Sequence, residues 1–166
     1  MRISIIIPVF NEQATIAEVL ARVLAVDLDK QVIVVDDGST DGTSELLEEW
    51  GTRQPDWVTV RRHAKNQGKG VAVRTGLAEV TGDCVIIQDG DLEYDPRDYS
   101  RLLAPLIEGQ ARVVFGSRLL GNNPRMFFAQ RVGNVVLTWL TNLLYGASLT
   151  DMETCYKLFA REVVAG

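Results

Sequence analysis

The chain has 166 residues, of which 46% are hydrophobic and 23% charged, so it is long enough to bury one sizeable core. We therefore expect a single domain over residues 1–166. The formal net charge of −5 argues against a general nucleic-acid-binding protein, because phosphate backbones attract clustered positive charge. No stretch is apolar over enough residues to predict a membrane-spanning helix.

The two cysteines, Cys84 and Cys155, lie far apart and lack CxxC spacing. The sequence therefore indicates neither a metal knuckle nor a disulfide framework, and it favours a reducing, cytoplasmic environment. The apolar run at the N-terminus is interrupted at Pro8, so it predicts a first strand rather than a signal peptide.

Short apolar runs alternate with segments of helical periodicity, a pattern typical of β-α-β units. The predicted strands are 3–9, 31–36, 58–62, 83–88 and 112–116. The predicted helices are 12–25, 41–50, 69–80 and 98–108. The strands are apolar along most of their length, which is typical of strands that are covered on both faces of a sheet. The sequence thus predicts an α/β fold with a mostly parallel central sheet and helices on both faces.

The segment 131–149 has a wide apolar arc beside the polar residues Asn134, Thr138 and Asn142. Two interpretations remain open: an ordinary core helix, or a helix that lies against a membrane or a lipid tail. The apolar residues 126–128 just before it favour lipid contact. A peripheral position at the cytoplasmic face of a membrane is therefore also compatible with the sequence.

Acidic residues follow the second predicted strand at its carboxyl end, where open α/β sheets bind ligands. Asp36 and Asp37 are adjacent, and two neighbouring carboxylates repel one another unless hydrogen-bond donors or a cation compensate. We expect Asp37 to accept hydrogen bonds from the base or ribose of a ligand.

A second acidic group follows the fourth predicted strand, where Asp89, Asp91 and Glu93 place three carboxylates within five residues. Acidic turns are common, but carboxylates this close at the end of a buried strand need a cation. Hard oxygen ligands of this kind suit Mg²⁺ or Mn²⁺, which bridge carboxylates to substrate phosphates. The sequence therefore predicts one of these metals as the cofactor.

The segment 63–70 contains Gly68 and Gly70 without the spacing of a Walker phosphate loop, because valine follows Gly70. It is either a plain turn or a place where backbone approaches an anion at the N-terminus of the helix that begins near Lys69.

Four motifs, in this order, resemble the family-2 glycosyltransferases with the GT-A fold: IPVFNE at 7–12, VVDDGSTD at 34–41, NQGKG at 66–70 and DGDLEYDP at 89–96. Within this family, the chain most resembles the dolichol-phosphate mannosyltransferase branch. Three motifs carry this resemblance: DLEYDP at 91–96, GSR at 116–118 and DMETCYK at 151–157. The likeness covers nearly all of the chain. Similar enzymes continue beyond the position that corresponds to residue 166, so we expect a C-terminal truncation.

The resemblance implies a nucleotide-sugar donor, GDP-mannose or a UDP-hexose. Its expected donor-binding residues are Pro8, Phe10, Glu12, Val35, Asp37, Lys69, Asp89, Gly90 and Asp91, with Asp89, Asp91 and Glu93 as metal ligands. Gly90 stands where the family commonly has alanine, which keeps both carboxylates of the motif.

The family inverts the anomeric carbon, so the implied reaction is a direct displacement by an acceptor oxygen. The expected catalytic residues are Asp91, Asp151, Arg118 and Arg131. Arg118 and Arg131 would face phosphate groups if the acceptor is a polyprenyl phosphate. Asp151 would be the base if the acceptor is a saccharide hydroxyl, or else it serves as a helix cap or in a structural salt bridge. Two further alternatives are a nucleotide-binding fragment without turnover and, less compatible with the motifs, a receiver-type phosphoacceptor domain.

Overall fold

A computed structural model describes residues 1–118 and 128–164, with only the backbone described for residues 128–131. The elements follow in the order β1 (Ile3–Val9), α1 (Ile16–Ala25), β2 (Lys30–Asp36), α2 (Thr43–Arg53), β3 (Val58–Arg62), α3 (Lys69–Leu77), β4 (Cys84–Ile87), a 3₁₀ turn (Pro96–Asp98), α4 (Tyr99–Ile107), β5 (Val113–Phe115), α5 (Phe128–Tyr145), β6 (Lys157–Ala160) and α6 (Arg161–Val164). Cys84 and Cys155 are buried free thiols, in agreement with the sequence prediction.

The strands form one six-stranded sheet with the order β3-β2-β1-β4-β6-β5. β1 pairs in parallel with both β2 and β4, and β2 pairs in parallel with β3. β6 is antiparallel to both β4 and β5. The mostly parallel sheet is therefore confirmed.

Successive side chains of the central strands point to opposite faces of the sheet, and both faces are covered. Ile5 and Ile7 pack in the core cluster that contains the buried residues of α1, α2 and α4, whereas Ile6 packs with Ala72 of α3. Helices on both faces are thus confirmed.

Two local predictions were wrong. α1 begins at Ile16 rather than at residue 12, because the chain after β1 first turns at the edge of the sheet, where the Glu12 carbonyl accepts from the amides of Thr15 and Ile16. β6 was not predicted at all. β6 is as short as β4, but it begins with a lysine and only Leu158 is fully buried, so it lacks the run of buried apolar residues that marks β4.

The interpretation of α5 as an ordinary core helix is contradicted. Its polar residues face the protein: Asn134 and Thr138 are buried at 6% and 5% exposure. Its apolar residues face outward, with exposures from 40% to 80% at Val132, Val135, Val136, Leu137, Trp139, Leu140, Leu143, Leu144 and Tyr145. None of the helices within residues 1–118 and 128–164 has the length and apolar character needed to cross a bilayer.

The polar side of α5 is held by hydrogen bonds to the segment that follows it. Asn134 donates to Asp151 (3.0 Å), the Thr138 hydroxyl accepts from the Met152 amide (3.1 Å), and Asn142 pairs with both backbone groups of Leu149 (2.8 and 2.9 Å). Because these side chains are spaced four residues apart, they form one stripe. The stripe turns the apolar arc toward the outside.

Gly76 sets the distance between α3 and the sheet, since a Cβ atom there would lie 2.6 Å from Cγ2 of Ile6. We expect Gly76→Ala to lower the free energy of unfolding by about 1–3 kcal/mol, because the fully buried Ile6 has no space to move into. Gly70→Ala is the control in the same helix. A Cβ at Gly70 meets nothing within 4 Å, so this change should be neutral or stabilise by up to about 1 kcal/mol. Urea unfolding of both variants measures the difference, and equal effects would contradict the steric explanation.

Candidate functional site

A cavity of about 360 Å³ opens at the carboxyl ends of β1, β2 and β4. Eight of the nine predicted donor-binding residues line it, namely Pro8, Phe10, Glu12, Asp37, Lys69, Asp89, Gly90 and Asp91, together with Val9, Asn66 and Ala72. The ninth, Val35, has a fully buried side chain in the core beside Ile6 and Ile33. The residues come from separate parts of the chain, and the sheet brings them together.

Asp37 lies at one wall of this cavity and is 3% exposed. Its carboxylate accepts from Nδ1 of His63 at 2.6 Å and from the amides of Gln67 at 3.0 Å and Gly68 at 2.7 Å. Burial alone would raise the pKa of Asp37, but these hydrogen bonds outweigh it and lower the pKa below its usual value. Asp37 is therefore a stable anion with most of its acceptor capacity used within the protein.

Its neighbour Asp36 has a separate set of donors, which resolves the expected repulsion between the two carboxylates. The Ser39 amide donates to Asp36 at 2.9 Å and the Ser44 hydroxyl donates to its other oxygen, while Arg62 lies 3.6 Å away. The two acids thus point into different hydrogen-bond networks, and only Asp37 reaches the cavity.

The segment 63–70 is organised by Asp37. α3 begins at Lys69, as expected, but the amides of Gln67 and Gly68 just before it bind the carboxylate of Asp37. The anion at this turn is therefore internal to the protein. The approach is close enough that a Cβ at Gly38 would lie 2.6 Å from the Lys65 backbone, and Gly38 has a φ of +77°.

His63 is a residue that sequence reasoning did not single out. Its ring joins Asp37 through Nδ1 and Thr75 of α3 through Nε2 at 2.9 Å. In the sequence it is one member of a basic run, and nothing in that run indicates its tertiary contact. It fixes the orientation of the Asp37 carboxylate.

Gln88 is a second residue whose role was not predicted. It holds the backbone of the acidic turn in place from within the core. The side chain is completely buried, and its carbonyl oxygen accepts from the hydroxyls of Tyr99 and Tyr156, each at 2.8 Å. Its amide nitrogen donates to the carbonyl of Asp89 at 3.0 Å. Burial raises the pKa of both tyrosines, so both hydroxyls remain donors.

The acidic turn brings Asp89 and Asp91 to the cavity, where the Lys69 ammonium forms an ion pair with Asp89. Two carboxylates fit Mg²⁺ or Mn²⁺, which take one or two protein carboxylates and complete their shell with water and substrate phosphates. The ammonium on Asp89 is itself a cation at this position. The residues present therefore fit the predicted metal.

Glu93 does not join them. Within the part of the chain that the structure describes, no group of three acidic, histidine or cysteine side chains is placed to hold a metal ion. Glu93 instead lies 3.7 Å from the Arg118 guanidinium. The structure therefore gives no support for a third carboxylate ligand.

Arg118 and Asp151 form a buried ion pair away from the lining of the cavity. The guanidinium donates to both carboxylate oxygens, at 2.9 and 3.1 Å, and the Arg118 amide donates at 3.0 Å. Burial would raise the pKa of Asp151, but the hydrogen bonds from Arg118 lower it overall. This is the salt-bridge alternative for Asp151, and a carboxylate so engaged is a weak proton acceptor.

The side chain of Arg131, for which a catalytic role was predicted, lies outside the described part of the chain. So do residues 126 and 127, which were expected to contact lipid. Nothing in the geometry of the site bears on them.

The cavity and its two carboxylates lie where the strand order of the sheet switches between β1 and β4, which is the usual position of the ligand site in open α/β folds. The model of Glycosyl transferase family 2 matches residues 4–165, and the chain belongs to this family. The family predicted from the motifs is confirmed.

Two named relatives are similar over nearly the whole of this chain. The glycosyltransferase AglJ of Haloferax volcanii is 34% identical, over 96% of this chain and 50% of its own length. The UDP-N-acetylglucosamine–dolichyl-phosphate N-acetylglucosaminyltransferase of Methanococcus voltae is 29% identical, over 98% of this chain and 70% of its own.

Among solved structures, the mannosyltransferase PcManGT of Pyrobaculum calidifontis, in complex with GDP-Man and Mn²⁺, is similar with a TM-score of 0.74 and 26% identity. The match covers 98% of this chain and 45% of that one. The likeness confirms the predicted GT-A fold. The chain spans about half the length of AglJ and PcManGT.

Replacing Asp151 tests the structural ion pair. We expect Asp151→Asn to lower the free energy of unfolding by about 1–3 kcal/mol at pH 7, because it leaves the Arg118 guanidinium without its counter-charge. Because the folded-state pKa of Asp151 is lowered, its contribution is present above the ordinary pKa of aspartate, about 4. The contribution is lost as the pH falls through the folded-state value.

The difference between wild type and Asp151→Asn should therefore shrink in acid, which denaturant unfolding between pH 7 and pH 3 measures. Glu18→Gln breaks an exposed pair with Arg22 and is the control, with an expected effect of at most about 0.5 kcal/mol. A pH-independent loss at Asp151 would contradict the assignment.

Proposed function

We propose that this chain binds a nucleoside-diphosphate sugar in the cavity and transfers the sugar, with inversion, to the phosphate of a polyprenyl lipid. The observation that carries the proposal is the convergence of eight predicted donor-binding residues on one cavity of about 360 Å³. They come from the ends of three strands and the start of α3.

The charges in the cavity support a metal-bound diphosphate. Its lining includes four carboxylates, at Glu12, Asp37, Asp89 and Asp91, and a single ammonium, at Lys69. An anionic diphosphate would be repelled from such a wall unless a divalent cation came with it. A divalent ion held by Asp89 and Asp91 would supply that charge and stabilise the leaving nucleoside diphosphate. PcManGT, which binds GDP-Man and Mn²⁺, supports the same arrangement.

We assign the nucleoside end of the donor to the apolar part of the cavity lining. Pro8 and the 44%-exposed ring of Phe10 offer apolar surface there, next to the fixed carboxylate of Asp37. Flat apolar surface beside an oriented acceptor suits a base and a ribose. We therefore place the base near Phe10 and the diphosphate near Asp91.

The state of Asp151 favours a phosphate acceptor over a saccharide hydroxyl. A hydroxyl must lose its proton to a base as it attacks, whereas both oxygens of Asp151 accept from Arg118. A phosphate oxygen is already anionic at neutral pH. It forms the new bond to the anomeric carbon while the bond from that carbon to the diphosphate breaks, and no proton has to move.

The exposed apolar face of α5 supports a lipid acceptor as well. Nine apolar side chains of one helix are 40% to 80% exposed. Single exposed apolar residues are common on protein surfaces, but a contiguous group of this size marks an interaction site. An amphipathic helix of this kind lies in the boundary between lipid headgroups and acyl chains. The M. voltae relative is named for a dolichyl-phosphate acceptor. We therefore propose peripheral membrane contact through α5.

Donor binding can be tested by calorimetry with GDP-mannose and with UDP-N-acetylglucosamine, each with and without Mn²⁺. We expect Asp89→Asn and Asp91→Asn each to weaken Mn²⁺-dependent binding by about tenfold or more, since each removes one ligand of a site with few protein ligands. Glu93→Gln is the matched control and should change the affinity by less than about threefold, because Glu93 is not part of the cavity lining and its contact with Arg118 is loose, at 3.7 Å. If neither nucleotide sugar binds the wild type, the proposal fails.

Membrane contact can be tested by sedimentation with vesicles of phosphatidylcholine and phosphatidylglycerol. Leu143 and Leu144 are 65% and 74% exposed, and replacing both by serine should lower vesicle binding by about tenfold, since each leucine contributes roughly 1.5–3 kcal/mol when fully buried and part of that in an interface. The control is Ile107→Ser on α4, 62% exposed, which should leave binding unchanged. Equal losses in the two proteins would contradict docking through α5.

A further inference from the structure

Lys69 occupies an unusual place for a lysine. It is the first residue of α3, where the helix dipole disfavours a positive charge. Its side chain is 56% exposed, yet its ammonium contacts the Asp89 carboxylate, which is 21% exposed. The position is therefore explained by the acidic turn and not by the helix.

The electrostatic surroundings keep this lysine charged. Burial lowers the pKa of Lys69, but the hydrogen bond to Asp89 and the charges of Asp89 and Asp91 raise it overall. The ammonium thus interacts with the same two carboxylates that fit a divalent metal, on the same wall of the cavity. A metal ion and the ammonium compete for Asp89, because both need its oxygen.

We propose that Lys69 is an internal counter-cation that holds Asp89 in the free protein and transfers to the diphosphate when the donor and its metal bind. This inference deepens the proposed function and rests on it. A diphosphate offers the ammonium a new anionic partner within the same cavity, and this exchange frees Asp89 for the metal. Lys69 is accordingly a positioning residue whose partner differs between the free and the donor-bound protein.

Two consequences with opposite signs follow. Metal alone binds weakly, because it must displace Lys69 without compensation. Metal together with nucleotide binds more tightly, because the displaced ammonium gains a phosphate contact. Binding of metal and of nucleotide is therefore cooperative, and Lys69 contributes to the coupling between them.

The test compares wild type, Lys69→Met and Lys65→Met. Lys65 is an exposed lysine four residues earlier, and replacing it removes the same charge. Electron paramagnetic resonance of free Mn²⁺ measures the affinity for metal alone, and calorimetry at saturating Mn²⁺ measures the affinity for GDP and for UDP. Thermal unfolding checks that each variant is folded, and Lys69→Gln provides a second variant of different polarity.

We expect Lys69→Met to tighten Mn²⁺ binding in the absence of nucleotide by about three- to fivefold, the range for an exposed ion pair, and to weaken nucleotide binding with Mn²⁺ present. Lys65→Met should change neither. Adding Asp89→Asn to Lys69→Met should abolish the gain.

Equal Mn²⁺ affinity in wild type and Lys69→Met, including no detectable binding in either, overturns the inference. An equal gain in Lys65→Met overturns it as well, since it would be a general effect of charge. Failure of the proposed function has a different signature, namely that the wild type binds no nucleotide with Mn²⁺, whatever the metal-only result.

Discussion

The buried carboxylate of Asp37 is the constraint on which the geometry of the site depends. It accepts from His63, which follows β3, and from the amides of Gln67 and Gly68. A buried charge is tolerated only with such a complete set of donors. The end of β2 and the segment 63–70 therefore meet at one anion. Because α3 begins immediately afterwards, the same contact decides where Lys69 emerges beside the acidic turn.

Local patterns in the sequence were sufficient for the fold and for the acidic residues of the cavity at the ends of β2 and β4, whereas Pro8, Phe10 and Glu12 were expected only through the family resemblance. Each parallel strand is an apolar run that ends in polar residues, and parallel strands end at one edge of the sheet. That rule alone predicts that Asp37, Asp89 and Asp91 converge. It cannot identify His63 or Gln88, whose roles arise from contacts with residues 26 and 68 positions away.

The face of α5 that contacts the protein could not be predicted from the sequence, because the orientation of a helix is a tertiary property. The periodicity of α5 reveals an apolar arc and a polar stripe, but not which of the two faces the protein. The outcome depends on whether Asn134 and Thr138 find partners, and they find them at Asp151 and Met152. The metal role of Glu93 stays a prediction: its spacing from Asp91 suits a metal ligand, and Arg118 lies within ion-pair distance of it.

The place of β6 in the sheet has a consequence for the order in which the protein is made. β6 pairs with both β5 and β4, whereas the parallel pairings join β1 to β2 and β4, and β2 to β3. The first four strands are synthesised before residue 88. The free edge of β4 stays unpaired until β6, residues 157–160, emerges from the ribosome. During that interval an unpaired strand borders the acidic turn, and exposed edges of this kind recruit other chains. All of the residues that line the cavity lie between Pro8 and Asp91, so they are synthesised before the strand that covers the free edge of β4.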